Sequence, residues 1–211
     1  MIHEPRWPVL VAVLCCGMLN WWLPKSMSAG PGWLVFVLTL ILGLGSMATV
    51  TRGPEWFHFT LAYTMQAVVT ASLAYSLAAL VKDLIDHKGK PEEILVSAVS
   101  IWAMNILVFA TWYWRMDGGG PSGRRLHATY HEGAFLFPQA TMTLETKKSM
   151  NVGNWHPQFI DYLFLSFNAS TAFSPTDTPV LSRWAKAAMM VESLIALTTV
   201  ALVAARAVNI L

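Results

Sequence analysis

The chain has 211 residues, of which 55% are hydrophobic and 12% charged, with a formal net charge of +2 and a mean hydropathy of +0.48. Soluble domains carry about a quarter charged residues, so this balance excludes a soluble enzyme fold, a disordered chain and a disulfide scaffold. The small net charge, with no Lys/Arg cluster longer than two, gives no footing for nucleic acid.

The charges are spaced so as to leave long apolar runs. Between Arg6 and Lys25 lie 18 residues without Asp, Glu, Lys or Arg; 26 follow from Ser26 to Thr51, 26 from Trp56 to Val81 and 21 from Ile94 to Trp114. Each run reaches the ~18 residues or more that a helix needs to cross a ~30 Å hydrocarbon core. None alternates with period two, which excludes a β-barrel.

The first span is expected at about Trp7 to Leu23, ending at Pro24, with Trp7 at one membrane interface and Trp21 and Trp22 at the other. The same run also fits a signal peptide ending near Ser26-Met27-Ser28, and is read here as a retained span. Cys15 and Cys16 are adjacent on one helix, cannot form an ordinary disulfide, and are expected to pack. Gly30-Pro31-Gly32 breaks the chain before the second span, Trp33 to Val50. There Gly43-Leu-Gly45-Ser-Met-Ala48 superficially fits a dinucleotide fingerprint, but with no preceding strand it reads as helix packing.

The third span, Trp56 to Val81, carries Thr60, Thr64, Gln66, Thr70, Ser72 and Ser76, and so is expected to face other helices more than lipid. The connection Lys82 to Glu93 holds eight titratable residues and belongs in water. A fourth span, Ile94 to Trp114, carries Asn105 at mid-depth. Three regions follow: a four-helix membrane region over 1–114, a hydrophilic loop over 115–157 and a hairpin over 158–211. The loop opens with the turn-forming run Gly118 to Gly123 and is expected to hold a short strand or hairpin at most. His127 and His131, spaced i, i+4 beside Glu132, have no evident third ligand and read as a solvated loop, so no metal or other cofactor is expected.

The hairpin is the informative region. Only 15 uncharged residues, Tyr162 to Thr176, separate Asp161 from Asp177. As a helix they reach roughly 22 Å, short of a full crossing. They also include Ser166, Asn168, Ser170 and Thr171. A short, part-polar helix at membrane depth is tolerated where it is buried in protein or lines water. A polar segment, Ser174 to Pro179, then leads into a long final helix from about Leu181 to Leu211. The expected fold is an all-α integral membrane protein with five transmembrane helices and a re-entrant, pore-type half-helix before the last.

The stretch Asp161 to Asp177, followed by Leu181-Ser-Arg-Trp-Ala-Lys186, resembles the pore helix, filter and inner-helix start of tetrameric potassium channels. It is also similar to an uncharacterised bacterial inner-membrane family, a domain of unknown function. That family carries an Asp-Tyr-Leu-Tyr-Phe-Ser-Phe-Thr segment, a Ser-Asp pair, a Ser-Arg pair and a closing apolar helix. Gly133-Ala-Phe-Leu-Phe-Pro138 resembles its Gly-x-x-Phe-Pro element, so the likeness covers residues 133–211. It implies a homotetramer in the bacterial inner membrane, with the lipid bilayer and cations as partners.

The filter-like loop departs from the potassium pattern. Thr171-Ala-Phe-Ser174-Pro175-Thr176 has no glycine, and Pro175 fixes its own φ and restricts Ser174. A carbonyl-lined potassium filter is therefore not expected. What remains is a ring of Thr171, Ser174, Thr176 and Asp177 side chains, which favours a cation pathway without potassium selectivity. The alternative is a non-conducting structural or accessory subunit that uses the hairpin for assembly. No nucleophile, base and oxyanion set is visible, so an enzyme is not expected.

Glu192, Thr199 and Arg206 recur every seven residues along one face of the last helix. An intramembrane carboxylate is a functional hypothesis by default. Glu192 and Thr199 are thus candidates for a central cavity, against a reading in which Glu192 bonds to Gln66 or Asn105; Arg206 is expected to snorkel to the headgroups. Basic residues number nine on the side of the long loop against five on the other. That count places the loop in the cytoplasm, whereas the channel resemblance implies the reverse, which is the orientation preferred here.

Overall fold

A computed structural model describes residues 4–52, 54–86, 90–126, 133–153, 155–171 and 177–208. Each charge-free run winds into a helix that ends where the sequence places a breaker. Helix α1 (Trp7–Trp22) has Pro8 in its first turn and stops before Pro24, α2 spans Trp33–Arg52, and α3 (Glu55–Ile85) follows Pro54. Helix α4 (Pro91–Met116) starts on a proline, with Glu92 and Glu93 in its first turn and Arg115 in its last. All of these suit the helix dipole.

The hydrophilic region contains more helix than expected. Gly118, Gly119 and Gly120 have φ of 56°, 74° and 73° and fold the chain back onto the end of α4. A Cβ on Gly120 would lie 2.5 Å from the Arg115 carbonyl oxygen. Helix α5 (Gly120–Leu126) follows at once, with Pro121 suited to its first turn. Short helices α6 (Pro138–Thr141) and α7 (Leu144–Ser149) come next, then α8 (Phe159–Thr171) and α9 (Arg183–Val208). Apart from an isolated antiparallel bridge between Phe135 and Val180, all regular structure among the described residues is helical. The expected short strand is therefore reduced to one bridge, which joins the loop to the hairpin.

Among the described residues, three helices are long and apolar enough to cross a membrane, by length and composition: Trp56–Ile85, Pro91–Arg124 and Arg183–Ala205. The apolar stretches Trp7–Trp22 and Trp33–Thr49 are shorter. Arg6 and Pro24 confine α1 to 16 residues, about 24 Å of helix.

Helix α4 is the hub, packing against α1, α3, α8 and α9, while α2 lies on α1 and α3. The most apolar stretch of α4 is 61% buried against 17% for that of α9, so α4 is the centre and α9 the rim. One core cluster runs between α1, α3 and α4. A second, rich in aromatics, gathers Tyr113, Phe135, Phe137, Tyr162 and Trp184 where α4, α8 and α9 meet the loop.

Candidate functional site

The hydrogen bonds of α8 fix its direction. Near its start, the Tyr162 hydroxyl donates to Asp117 Oδ2 at 2.6 Å, at the end of α4. One turn on, Ser166 Oγ lies 2.8 Å from the Ile106 carbonyl oxygen. One turn further, Ser170 Oγ accepts from Asn105 Nδ2 at 3.3 Å, and its carbonyl oxygen accepts from Trp102 Nε1 at 3.3 Å. Helix α8 thus runs antiparallel to α4.

Helix α9 runs the same way. Just before it, Leu181 N donates to the Ala134 carbonyl, and Leu136 N donates to the Pro179 carbonyl. Ala134 N in turn donates to the Asp117 carboxylate. Residues 179–181 are therefore back at the end of α4 from which α8 departs.

Between these helices sits Glu192, fully buried. Its Oε2 accepts from the Tyr113 hydroxyl at 2.5 Å, and its Oε1 accepts from Ser170 Oγ at 3.0 Å and from Ser166 Oγ. Asn105 Nδ2 donates to the Glu192 backbone carbonyl at 3.1 Å. One carboxylate thus ties α9 to α8 and α4. A buried carboxyl group is costly without such partners.

A second polar cluster closes the end of this unit. Arg124 and Glu4 form an ion pair at 2.9 Å, with side chains 3% and 9% exposed. Trp114 Nε1 also donates to Glu4. Arg124 Nη1 donates to the carbonyls of Trp114 and Asp117 at 2.9 and 2.6 Å. The N-terminal segment, the end of α4 and α5 are thereby fastened together.

No family model, curated protein or solved structure matches the chain.

Of the residues singled out from sequence, Glu192 is enclosed by hydroxyls instead of facing open space. Its carboxylate partners are Tyr113, Ser166 and Ser170; Asn105 reaches only its backbone, and Gln66 bonds to the Val108 carbonyl and Thr111 Oγ1. Thr199 is buried on α9, two turns from Glu192, with its hydroxyl bonded back to the Ile195 and Ala196 carbonyls. The Arg206 side chain lies outside the described residues. In the filter-like loop, Thr171 is exposed at the end of α8 and donates to the Phe167 carbonyl, and Asp177 is exposed. Ser174, Pro175 and Thr176 lie outside the described residues, as do His127, His131 and Glu132. Among the described residues no group of three His, Cys, Asp or Glu could hold a metal ion. Gly43 faces Leu10 and Met65, and Gly45 faces Leu61, which is helix packing.

Sequence reading missed Asp117, Tyr113 and the Glu4–Arg124 pair. Each sits at a span end or in the loop, where an aromatic or a charge is unremarked. The available signal was Glu4, the one carboxylate ahead of the first span.

Proposed function

We propose that the chain is a multi-pass protein of the bacterial inner membrane with five crossings, into which α8 dips as a re-entrant half-helix. In this reading it assembles as a homotetramer whose hairpins surround a cation pathway without potassium selectivity. The observation that carries it is the shared direction of α8 and α9. Two consecutive helices that run the same way require the chain between them to double back, as a pore loop does. Further support comes from the outer surface: Ile160, Phe164 and Phe167 on α8 and Met190, Leu194 and Leu197 on α9 are each 46–63% exposed. Soluble monomers seldom expose so many large apolar side chains on two packed helices. In this reading Asp177, exposed two residues before the chain reaches Pro179, is the carboxylate at the mouth.

Glu192 takes a different part in this proposal from the one its sequence position suggests. It is a strut that holds the hairpin on α4 and does not touch the permeant ion.

The test is ion flux through purified protein in liposomes. Sodium and potassium are expected to pass at similar rates, and Asp177→Asn to slow both several-fold. No flux above empty liposomes overturns the cation pathway. A second reading, a non-conducting subunit that uses the hairpin for assembly, is favoured by the tight bonding of Glu192 within its own chain. It predicts a stable oligomer without flux, unaffected by Asp177→Asn.

A further inference from the structure

At the end of the bundle where α1 and α3 begin and α2 and α4 finish lies a cavity of about 40 Å³. That is room for about three water-sized groups. Its polar lining is Arg6, Arg115, His58, Ser46 and Ser122, and no carboxylate is among its described lining residues.

Arg115 is the unusual member. It is 9% exposed, yet its Nε has no hydrogen-bond partner, and no described carboxylate pairs with it. Its guanidinium lies 5.6 Å from the Tyr63 ring centroid and 5.8 Å from that of Trp114. Stacking on rings supports the cation but leaves the in-plane N–H donors unused.

No described lining residue supplies a counter-charge to Arg115. Arg6 Nη1 lies 2.9 Å from His58 Nε2, and an arginine can only donate, so Nε2 is the acceptor. The ring proton is thereby assigned to Nδ1, which donates to the Ser46 carbonyl at 2.9 Å. Arg6 Nη2 donates to Ser122 Oγ at 3.3 Å. His58 is thus a neutral prop for Arg6 and no counter-ion for Arg115.

We propose that Arg115 and Arg6 form a binding site for a phosphate-type oxyanion at this end of the bundle. A guanidinium fork matches the paired oxygens of a phosphate. The cavity has room for such a pair of oxygens, with the rest of the ligand lying outside it. Its other walls are apolar, with Val9, Leu10, Met47, Phe59 and Met65. A charged end and an apolar wall at the ends of membrane helices match a phospholipid, headgroup phosphate inward, better than free phosphate. The inference does not depend on whether the hairpin conducts.

The test uses the full chain in detergent, with thermal unfolding and native mass spectrometry as readouts. A ligand that binds only the folded state raises its unfolding midpoint. Phosphatidylglycerol, phosphatidylcholine and inorganic phosphate at matched ionic strength are the three probes. Phosphatidylglycerol is expected to raise the midpoint and stay bound, with apparent affinity falling about ten-fold in Arg115→Gln. A response to inorganic phosphate as well assigns the site to the free anion, and a response to lipid alone assigns it to the headgroup. Should Arg115→Gln fail to fold, Arg6→Gln is expected to weaken binding in the same direction. The proposal is overturned if no probe stabilises the wild-type chain, or if the folded variants bind as tightly as it does.

Discussion

Glu192 is held by three hydroxyls from two helices, and each bond has a definite worth. Leaving a buried carboxyl oxygen short of a donor costs about 1–3 kcal/mol. Tyr113→Phe removes one donor while leaving the ring packed edge-on against Phe135. It is expected to lower unfolding stability by that amount, read from denaturant titration in detergent. Ser170→Ala is expected to cost less, because its bond is longer and Oε1 keeps its bond from Ser166, whereas Tyr113→Phe removes the donor to Oε2. Because the hydroxyls serve one carboxylate, combining Tyr113→Phe with Ser170→Ala should depart from additivity by about 0.5 kcal/mol or more. Strict additivity would mean that the donors act independently. Glu192 itself was legible in the sequence, since a lone carboxylate in an apolar helix has to be explained. Its partners were not. Tyr113 carries no mark of its own among the aromatics at the end of the fourth run, and Ser166 is one of several polar residues on a helix expected to be buried in protein or to line water. Only the approach of α4, α8 and α9 brings them together.

At the scale of elements, breakers and charges locate the helices well, because proline, glycine and arginine act locally. The ends of α1, α3 and α4 fall within a few residues of the expected limits. The loop was harder to read. Helix α5 depends on three consecutive positive-φ glycines reversing the chain, and the bridge from Phe135 depends on a partner 45 positions away. Close packing of α1 on α2 supplies a sharper test. A Cβ on Gly17 would lie 2.8 Å from the Phe36 Cα, so Gly17→Ala must push the two backbones apart. At Gly45 the nearest atom is a Leu61 methyl at 3.4 Å, an ordinary contact. Overpacking costs about 1–3 kcal/mol, whereas alanine for glycine in a helix interior gains about 1 kcal/mol. Gly17→Ala should therefore melt below Gly45→Ala in a thermal scan, with Gly45→Ala at or above wild type. The reverse order would place the α1–α2 contact elsewhere.

For the whole molecule, the strongest constraint is topological. Helix α4 carries the chain from Lys90 at one end of the bundle to Asp117 at the other. Helix α8 starts at that second end, and the chain is back there at Pro179 to Leu181 before α9 begins. If the bundle sits across a bilayer, residues on either side of α8 must share one face of it, while Lys90 must lie on the opposite face. Gln158, Leu181 and Lys90 are all exposed, so cysteines placed there can be labelled. In a background of Cys15→Ser and Cys16→Ala, Gln158→Cys and Leu181→Cys should react with an impermeant maleimide from one side of intact vesicles. Lys90→Cys should react only from the other. Labelling of Gln158→Cys and Leu181→Cys from opposite sides would turn α8 into a full crossing, and the pore-loop reading would go with it. The sequence contributes the short polar length of α8 to this argument, but not its direction. Two parallel helices and two antiparallel ones leave the same hydropathy trace, and only the contacts with α4 distinguish them.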